Sequence, residues 1–267
     1  MYLLNIYRSL QNIWAGLRFY VLKKRYRIYP YDSTNPKTYP IIIVSFNQLK
    51  YLKELIGLLK KYGYKNIVVI DNASTYEPLL EYLENIRKEV HVHRLKKNHG
   101  HMVFWIREDL YNHYAKGYYA VTDADIVPCK DCPEDFMLYF KKILDSNKNL
   151  TKVGFSLKID DIPEYVPYRD SILNWEKKFW KNQTKDGNYK SAIDTTFALY
   201  KPRPYSKSTS DFFNAIRTKP PYCAIHGGWY VDPLNLSAEQ EFYFKTANKS
   251  SNWRLDEKGE FKHPELL

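Results

Sequence analysis

The chain has 267 residues, 44% of them hydrophobic and 27% charged, which is enough apolar content to bury a core as one large domain or two small ones. Three cysteines exclude a disulfide framework and make a reducing compartment the default, and there is no internal repeat or low-complexity tract. The net charge of +11 is unevenly spread, so it argues for a local basic element rather than a uniformly basic protein.

That element comes first. Residues 1–31 hold Arg8, Arg18, Lys23, Lys24, Arg25 and Arg27 and no acid, which is six of the eleven net charges. Leu3, Ile6, Tyr7, Leu10, Ile13, Trp14, Leu17 and Val21 recur close to the spacing of one helix face. The pattern predicts a basic amphipathic helix. Over residues 1–28 it either lies on an anionic membrane surface or packs on the main domain. The run is too interrupted to span a bilayer, and it lacks the apolar core and cleavage site of a signal peptide. "PYDSTNPKTYP" (30–40) reads as a linker, so the expected division is 1–38 for helix and linker and 39–267 for the main domain.

"PIIIVSF" (40–46) predicts a buried strand, and Leu52, Leu55, Ile56 and Leu59 predict the stripe of a following helix that stops at Gly63. "KNIVVIDNAST" predicts a second strand ending at Asp71, then a helix capped by Thr75 and running to about Arg87. "EVHVHRL" (89–95) predicts a third strand, "KKNHGH" a loop, and "MVFWIREDLYNHYAKG" one helix ending at Gly117. "YYAVTDADI" predicts a fourth strand. Strand–helix alternation of this kind argues a parallel sheet with helices on both faces and ligands at the carboxyl ends of the strands. Ser45–Phe46–Asn47, Asp71–Asn72, Asn98–Gly100 and Asp123–Asp125 all fall at those ends. Further on, 151–159 and 191–201 read as strands, "PYRDSILNWEKKFW" as a helix, and 221–232 as a polar-aromatic loop.

Two carboxylates one residue apart at the end of a buried strand repel unless a cation sits between them. Mg²⁺ or Mn²⁺ suits such oxygens, commonly with substrate phosphates completing the shell, and acts as a Lewis acid on a leaving phosphate.

"PIIIVSFNQ", "VVIDNAST", "KKNHG" and "VTDADIV" together resemble the nucleotide-sugar-binding segments of a GT-A-fold glycosyltransferase, most like family 2. The likeness covers about 39–130 well and 150–235 loosely. It implies an α/β fold: a Rossmann-like, mostly parallel central sheet with helices on both faces, here preceded by the N-terminal amphipathic helix. The donor half is then 39–130 and the acceptor side 131–267. It also implies a nucleoside-diphosphate sugar donor, Mn²⁺ or Mg²⁺, and a glycan or lipid-linked glycan acceptor. By the same resemblance, Ser45, Phe46 and Asn47 surround the base and ribose, Asp71 reads the base with Asn72 nearby, and Asn98 and Gly100 line the donor pocket. Asp123 approaches the ribose or sugar, and Asp123, Asp125 and His226 are the metal set; His226 stands 101 positions after Asp125 in the glycine-flanked "AIHGGWY". A carboxylate at 71 only accepts hydrogen bonds, so it pairs with the ring N–H of uracil, thymine or guanine, which narrows the donor to UDP, dTDP or GDP sugars, UDP foremost. Capping a turn in "DNAST" is the alternative role.

An inverting transferase needs a base. The resemblance puts the base at a Glu-Asp pair opening a helix after the sixth strand, and no clear pair stands there, so Asp194, expected inside an apolar strand, and Glu176, between tryptophans with Trp175 able to stack on sugar, are the two candidates. "CKDC" lacks the second pair of a zinc site and is expected to be structural. Arg107 is a candidate diphosphate partner. The leading expectation is a metal-dependent, inverting transferase of surface polysaccharide synthesis. It is expected to be cytoplasmic, peripheral on the cytoplasmic face of the inner membrane. Retaining chemistry and a nucleotidyltransferase stay open, though the latter's Gly-rich phosphate loop is missing. A nucleic-acid-binding module is disfavoured, because the charge sits at the N-terminus and no RNA-binding motif is present.

Overall fold

The computed structural model describes residues 31–202, 214–247, 254–255 and 261–262. The basic amphipathic segment expected over 1–28 lies outside them, and no described helix is long and apolar enough to cross a membrane.

Short β-branched runs build the first half of the sheet. β1 (Ile41–Ser45), β2 (Ile67–Asp71), β3 (His91–Arg94) and β4 (Tyr119–Asp123) lie in the order β3-β2-β1-β4, all parallel. β1 is buried along its whole length, and its residues alternate between two cores. Ile41 and Ile43 join α1 (Lys50–Lys61), α2 (Glu77–Ile86) and α5 (Phe136–Ser146) through Leu52, Leu55, Leu79, Leu83 and Phe136. Ile42 and Val44 face the other way, toward α3 (Val103–Ile106) and α4 (Glu108–Tyr114) through Phe104 and Tyr111. Alternation of this kind is the period-2 consequence of burying both faces of a sheet.

The chain runs β1 to β2 to β3 in one direction and then returns to β4 on the far side of β1, which leaves a crevice at the carboxyl ends of β1 and β4. Beyond β4 the nine-stranded sheet becomes mixed. β8 (Ala198–Tyr200) is antiparallel to β4 and to β6 (Lys152–Leu157). β6 is parallel to the long β9 (Ala215–His226), which pairs antiparallel with β5 (Ile126–Pro128) and with β7 (Tyr189–Lys190). The register of β6 on β9 jumps from Phe155↔Thr218 to Ser156↔Cys223, so residues 219–222 bulge out of the ladder. β10 (Arg254–Leu255) and β11 (Phe261–Lys262) form a separate hairpin.

Several local expectations need correction. The helix expected over 102–117 is two, because Arg107 leaves helical geometry (φ −86°, ψ 89°) while its guanidinium binds Asp109 at 2.7 and 2.8 Å. The strand expected over 191–201 is extended only at Ala198–Tyr200, and 221–226 is strand rather than loop. Thr75 does not cap α2: its own N–H and that of Tyr76 are taken by Asn47 Oδ1, at 2.8 and 3.1 Å. The 31–40 stretch packs on the domain, with Tyr31, Tyr39 and Tyr118 stacked at 5.4 and 5.5 Å. Gly63 does stop α1, at φ +78°, where an L side chain is strained.

Two of the described α-helices have no sequence counterpart above. α5 supplies buried Phe136, Met137, Phe140 and Leu144. α7 (Ala238–Thr246) is tied to the start of α1, where Glu239 accepts the N–H groups of Leu49 (2.9 Å) and Lys50 (3.0 Å). Its other end reaches β1, since Asn47 Nδ2 donates to Thr246 Oγ1 at 2.9 Å.

Candidate active site

The strand ends bring the polar residues together by register. Ser45 pairs with Asp71 across β1–β2, and Val44 pairs with Asp123 across β1–β4. Asp71 and Asp123 therefore flank the end of β1 from either side. Asp71 is fully buried. Its Oδ2 accepts from Arg94 Nε (3.1 Å) and its Oδ1 from the Ser74 N–H (3.1 Å). Asn72 clamps the 98–100 loop: its Nδ2 donates to Asn98 Oδ1 (2.9 Å) and the Gly100 carbonyl (3.0 Å), and its Oδ1 accepts the His99 N–H (2.9 Å). Asn47, at φ 49°, is buried and spends both ends of its amide on the frame just described. Phe46 is half-buried beside it, and the Ser45 hydroxyl is buried with no hydrogen-bond partner. Lys96 and Lys97 are exposed.

The two aspartates part company at the end of β4. Asp123 closes the strand, while Asp125 sits in the turn that carries the chain to β5 at the far edge of the sheet. Asp123 Oδ2 accepts from Thr195 Oγ1. Burial, together with the nearby charges of Asp125 and Asp194, pushes its carboxyl well above the usual carboxylate range against that hydrogen bond.

Asp125 is built into the β5–β9 pair. Ile126 lies opposite His226, the Asp125 carbonyl accepts the Gly227 N–H (2.7 Å), and Asp125 Oδ2 accepts the Gly228 N–H (3.1 Å). His226 Nδ1 stands 3.3 Å from Asp125 Oδ2, yet it makes no hydrogen bond, and the ring stacks on Trp229 at 4.7 Å. Glycine is required at 228 by close approach: a Cβ there would lie 2.8 Å from Asp125 Oδ2. Tyr51 of α1 presses on Gly227, and Tyr168 Oη donates to the Gly228 carbonyl (3.1 Å).

A divalent cation fits part of this set. A buried imidazole nitrogen without a hydrogen bond, facing a carboxylate oxygen held against a glycine, is a donor pair suited to Mn²⁺. Among the described residues, however, no three His, Cys, Asp or Glu side chains converge as a metal cage. Asp125 and His226 form the pair, and Asp123 stands apart on Thr195.

The two base candidates differ sharply. Asp194 is not inside a strand. It is exposed in the 191–197 stretch that leads to β8, next to the threonine that holds Asp123. Glu176 ends α6 (Arg169–Glu176) and is 2% exposed, in a buried ion pair with Arg217. Burial raises its carboxyl and the Arg217 guanidinium opposes that rise. Arg217 also donates from Nε to the Ala192 carbonyl (2.8 Å) and covers the Phe179 ring at 4.0 Å. Trp175 faces out, with Lys178 Nζ 3.1 Å from its ring centroid. The three cysteines are buried and form no disulfide, Cys129 donating its N–H to the Cys223 carbonyl (2.9 Å).

The residues that sequence reasoning missed here are Thr195, Gly228 and Arg217. "DTT" following the candidate base was the available sign for Thr195, and the double glycine for Gly228. Nothing local announces Arg217.

The family model described as glycosyl transferase family 2 matches residues 41–208. Similar solved structures include the mannosyltransferase PcManGT from Pyrobaculum calidifontis in complex with GDP-Man and Mn²⁺. It is 14% identical over 90% of this chain and 70% of that one, with a TM-score of 0.41. Another is S. aureus TarS 1-349, 14% identical over 77% of this chain and 62% of that one, with a TM-score of 0.42. No curated protein matches the chain. Both structural likenesses are distant, and it is the family match, across more than half of the chain, that decides membership.

Proposed function

The chain belongs to glycosyl transferase family 2 and is a glycosyltransferase of GT-A-like α/β architecture, and from that premise we propose that it moves a sugar from a nucleoside-diphosphate sugar, UDP-linked foremost, to a glycan or lipid-linked glycan acceptor with inversion. The observation that carries this reading is the junction at the end of β4. There Asp123 flanks the end of β1, Asp125 pairs with His226 in the turn to β5, and the exposed Asp194 precedes the threonine bound to Asp123.

In this reading Asp125 and His226 would hold Mn²⁺ or Mg²⁺, which would supply Lewis-acid stabilisation of the departing diphosphate. Asp71 turns its free lone pairs to a ring N–H of the base, with Arg94 and the Ser74 N–H fixing the carboxylate. Asn72 fixes the loop of Asn98 and Gly100 along the donor. Thr195 orients Asp123 toward the ribose or sugar. Asp194 accepts the acceptor hydroxyl's proton while that oxygen bonds to the anomeric carbon and the bond to the diphosphate breaks. Exposure favours Asp194 over Glu176, whose carboxylate is committed to Arg217. Retention is the second reading, favoured by the lack of a clear Glu-Asp pair at the helix after the sixth strand.

The basic amphipathic segment over 1–28 supports attachment to an anionic membrane surface, on the cytoplasmic face in a surface-polysaccharide pathway. Deleting it should release the protein from phosphatidylglycerol vesicles while transfer to a soluble acceptor continues. The deciding experiment is a screen of nucleotide sugars for Mn²⁺-dependent hydrolysis and thermal protection. UDP-sugars should score. Protection by none of the UDP, dTDP and GDP sugars would overturn the donor assignment.

A further inference from the structure

Lys152 opens β6, in the middle of the sheet, with its Cα opposite Tyr200 of β8 and Ala215 of β9. It is 0% exposed. A wholly buried ammonium is among the most costly groups a core can hold, and strands offer many apolar side chains that would fill the same space. Features that break a local rule in this way concentrate at functional sites.

Its contacts lead to one. Lys152 Nζ donates to the main-chain carbonyl of Asp194 (3.3 Å) and to Tyr200 Oη (3.4 Å), and lies 5.1 Å from the Tyr200 ring centroid. The next residue, Thr195, donates to Asp123. The path is therefore buried cation, Asp194 main chain, Thr195 hydroxyl, Asp123 carboxylate. It spans the 191–197 stretch, which has no ladder of its own before β8 begins at Ala198.

We propose that Lys152 is a positioning residue: its buried ammonium anchors the Asp194 main chain and so sets the carboxylate of Asp194 and the hydroxyl of Thr195 for transfer. The inference rests on the transferase reading above and extends it to a residue that touches no substrate.

The electrostatics agree with the geometry. Burial pushes the Lys152 ammonium down to about 7, with the carboxylate of Asp194 acting to raise it and the guanidinium of Arg217 on β9 acting to lower it further. Tyr200 of β8 is a further titratable group on it, and its phenol stays protonated because burial raises it well above the usual range. The sign follows from linkage. The unfolded chain holds its lysine proton to about 10.5, so between about 7 and 10.5 the unfolded state binds the extra proton and this group's contribution to stability rises with pH. Below about 7 the buried charge is a standing cost. Above about 7 the ammonium becomes an amine, a weaker donor to the Asp194 carbonyl. Stability and turnover should therefore move in opposite directions as pH rises through 7.

The test compares wild type with Lys152→Met, which keeps an unbranched side chain, one heavy atom shorter, without the charge. The melting temperature at pH 6 should be equal or higher, the donor dissociation constant should stay within about twofold, and kcat should fall at least tenfold with little change in acceptor KM. Wild-type kcat should decline above about pH 7, and that limb should vanish in Lys152→Met. Unchanged kcat in a folded Lys152→Met, or a change in KM alone, overturns the proposal. If Lys152→Met does not fold, the wild-type profile still decides: no decline of kcat between pH 7 and 9, with donor binding constant, overturns it. Wild type inactive with every nucleotide sugar would instead mark failure of the transferase reading.

Discussion

The β1–β3 side of the crevice and the side across from it use polar residues in opposite ways. At the ends of β1–β3, Asn47, Asp71 and Asn72 are buried and bonded to loops and helix ends, with Ser45 the exception. Across the crevice, His226 Nδ1 and the buried Thr196 hydroxyl have no hydrogen-bond partner, and Asp194 is exposed. A satisfied group holds shape, and an unsatisfied one awaits a ligand or a proton. In the proposed reading the first side is a frame, and the second supplies the reacting groups.

The most drastic way to break this contrast is Asp125→Ala. Transfer should fall by at least about three orders of magnitude at any Mn²⁺ or Mg²⁺ concentration while circular dichroism is unchanged, and excess EDTA should silence the wild type. Activity that survives both treatments would sink the metal assignment. Asp194→Asn should lower kcat by about two to four orders of magnitude, the range for a general base, with donor titrations unchanged. NMR of the product's anomeric configuration then separates inversion from retention. Glu176→Gln should behave as a frame mutation despite its place near the site. It strands Arg217 in the core at about 3–5 kcal/mol of stability, visible in a denaturant melt; normal stability with lost turnover would move it to the reacting side. Asn47→Ala should cost about 1–3 kcal/mol through the orphaned N–H groups of Thr75 and Tyr76. Donor affinity should weaken with kcat nearly intact, and the reverse pattern would blur the distinction.

The frame was the legible part because its signals are local. "IIIV", "IVVI" and "YAVT" are apolar runs that end on polar residues, and Leu52, Leu55, Ile56 and Leu59 mark the next helix by spacing alone. The parallel order of β1–β4 follows from that rhythm. The rest depends on pairings far apart in the chain. β6 meets β9 some sixty residues on, and β8 is three residues long, so no periodicity marked where the strand around Asp194 begins. That is why Asp194 was expected inside a strand and lies outside one. Glu176 looked accessible because its partner, Arg217, is on another element. Asp125 and His226 were each singled out in the sequence, but their meeting required the β5–β9 register.

The tie between α7 and the start of α1 bears on how the protein is made. The first N–H groups of α1, at Leu49 and Lys50, wait for a carboxylate at position 239, and Asn47 waits for Thr246. At about 5–20 residues per second, the ribosome delivers those partners roughly ten to forty seconds after the β1–α1 corner has emerged. Throughout that interval the nascent chain holds an incomplete β1–α1 corner. Closure of that corner therefore waits for α7, 190 residues further along the chain.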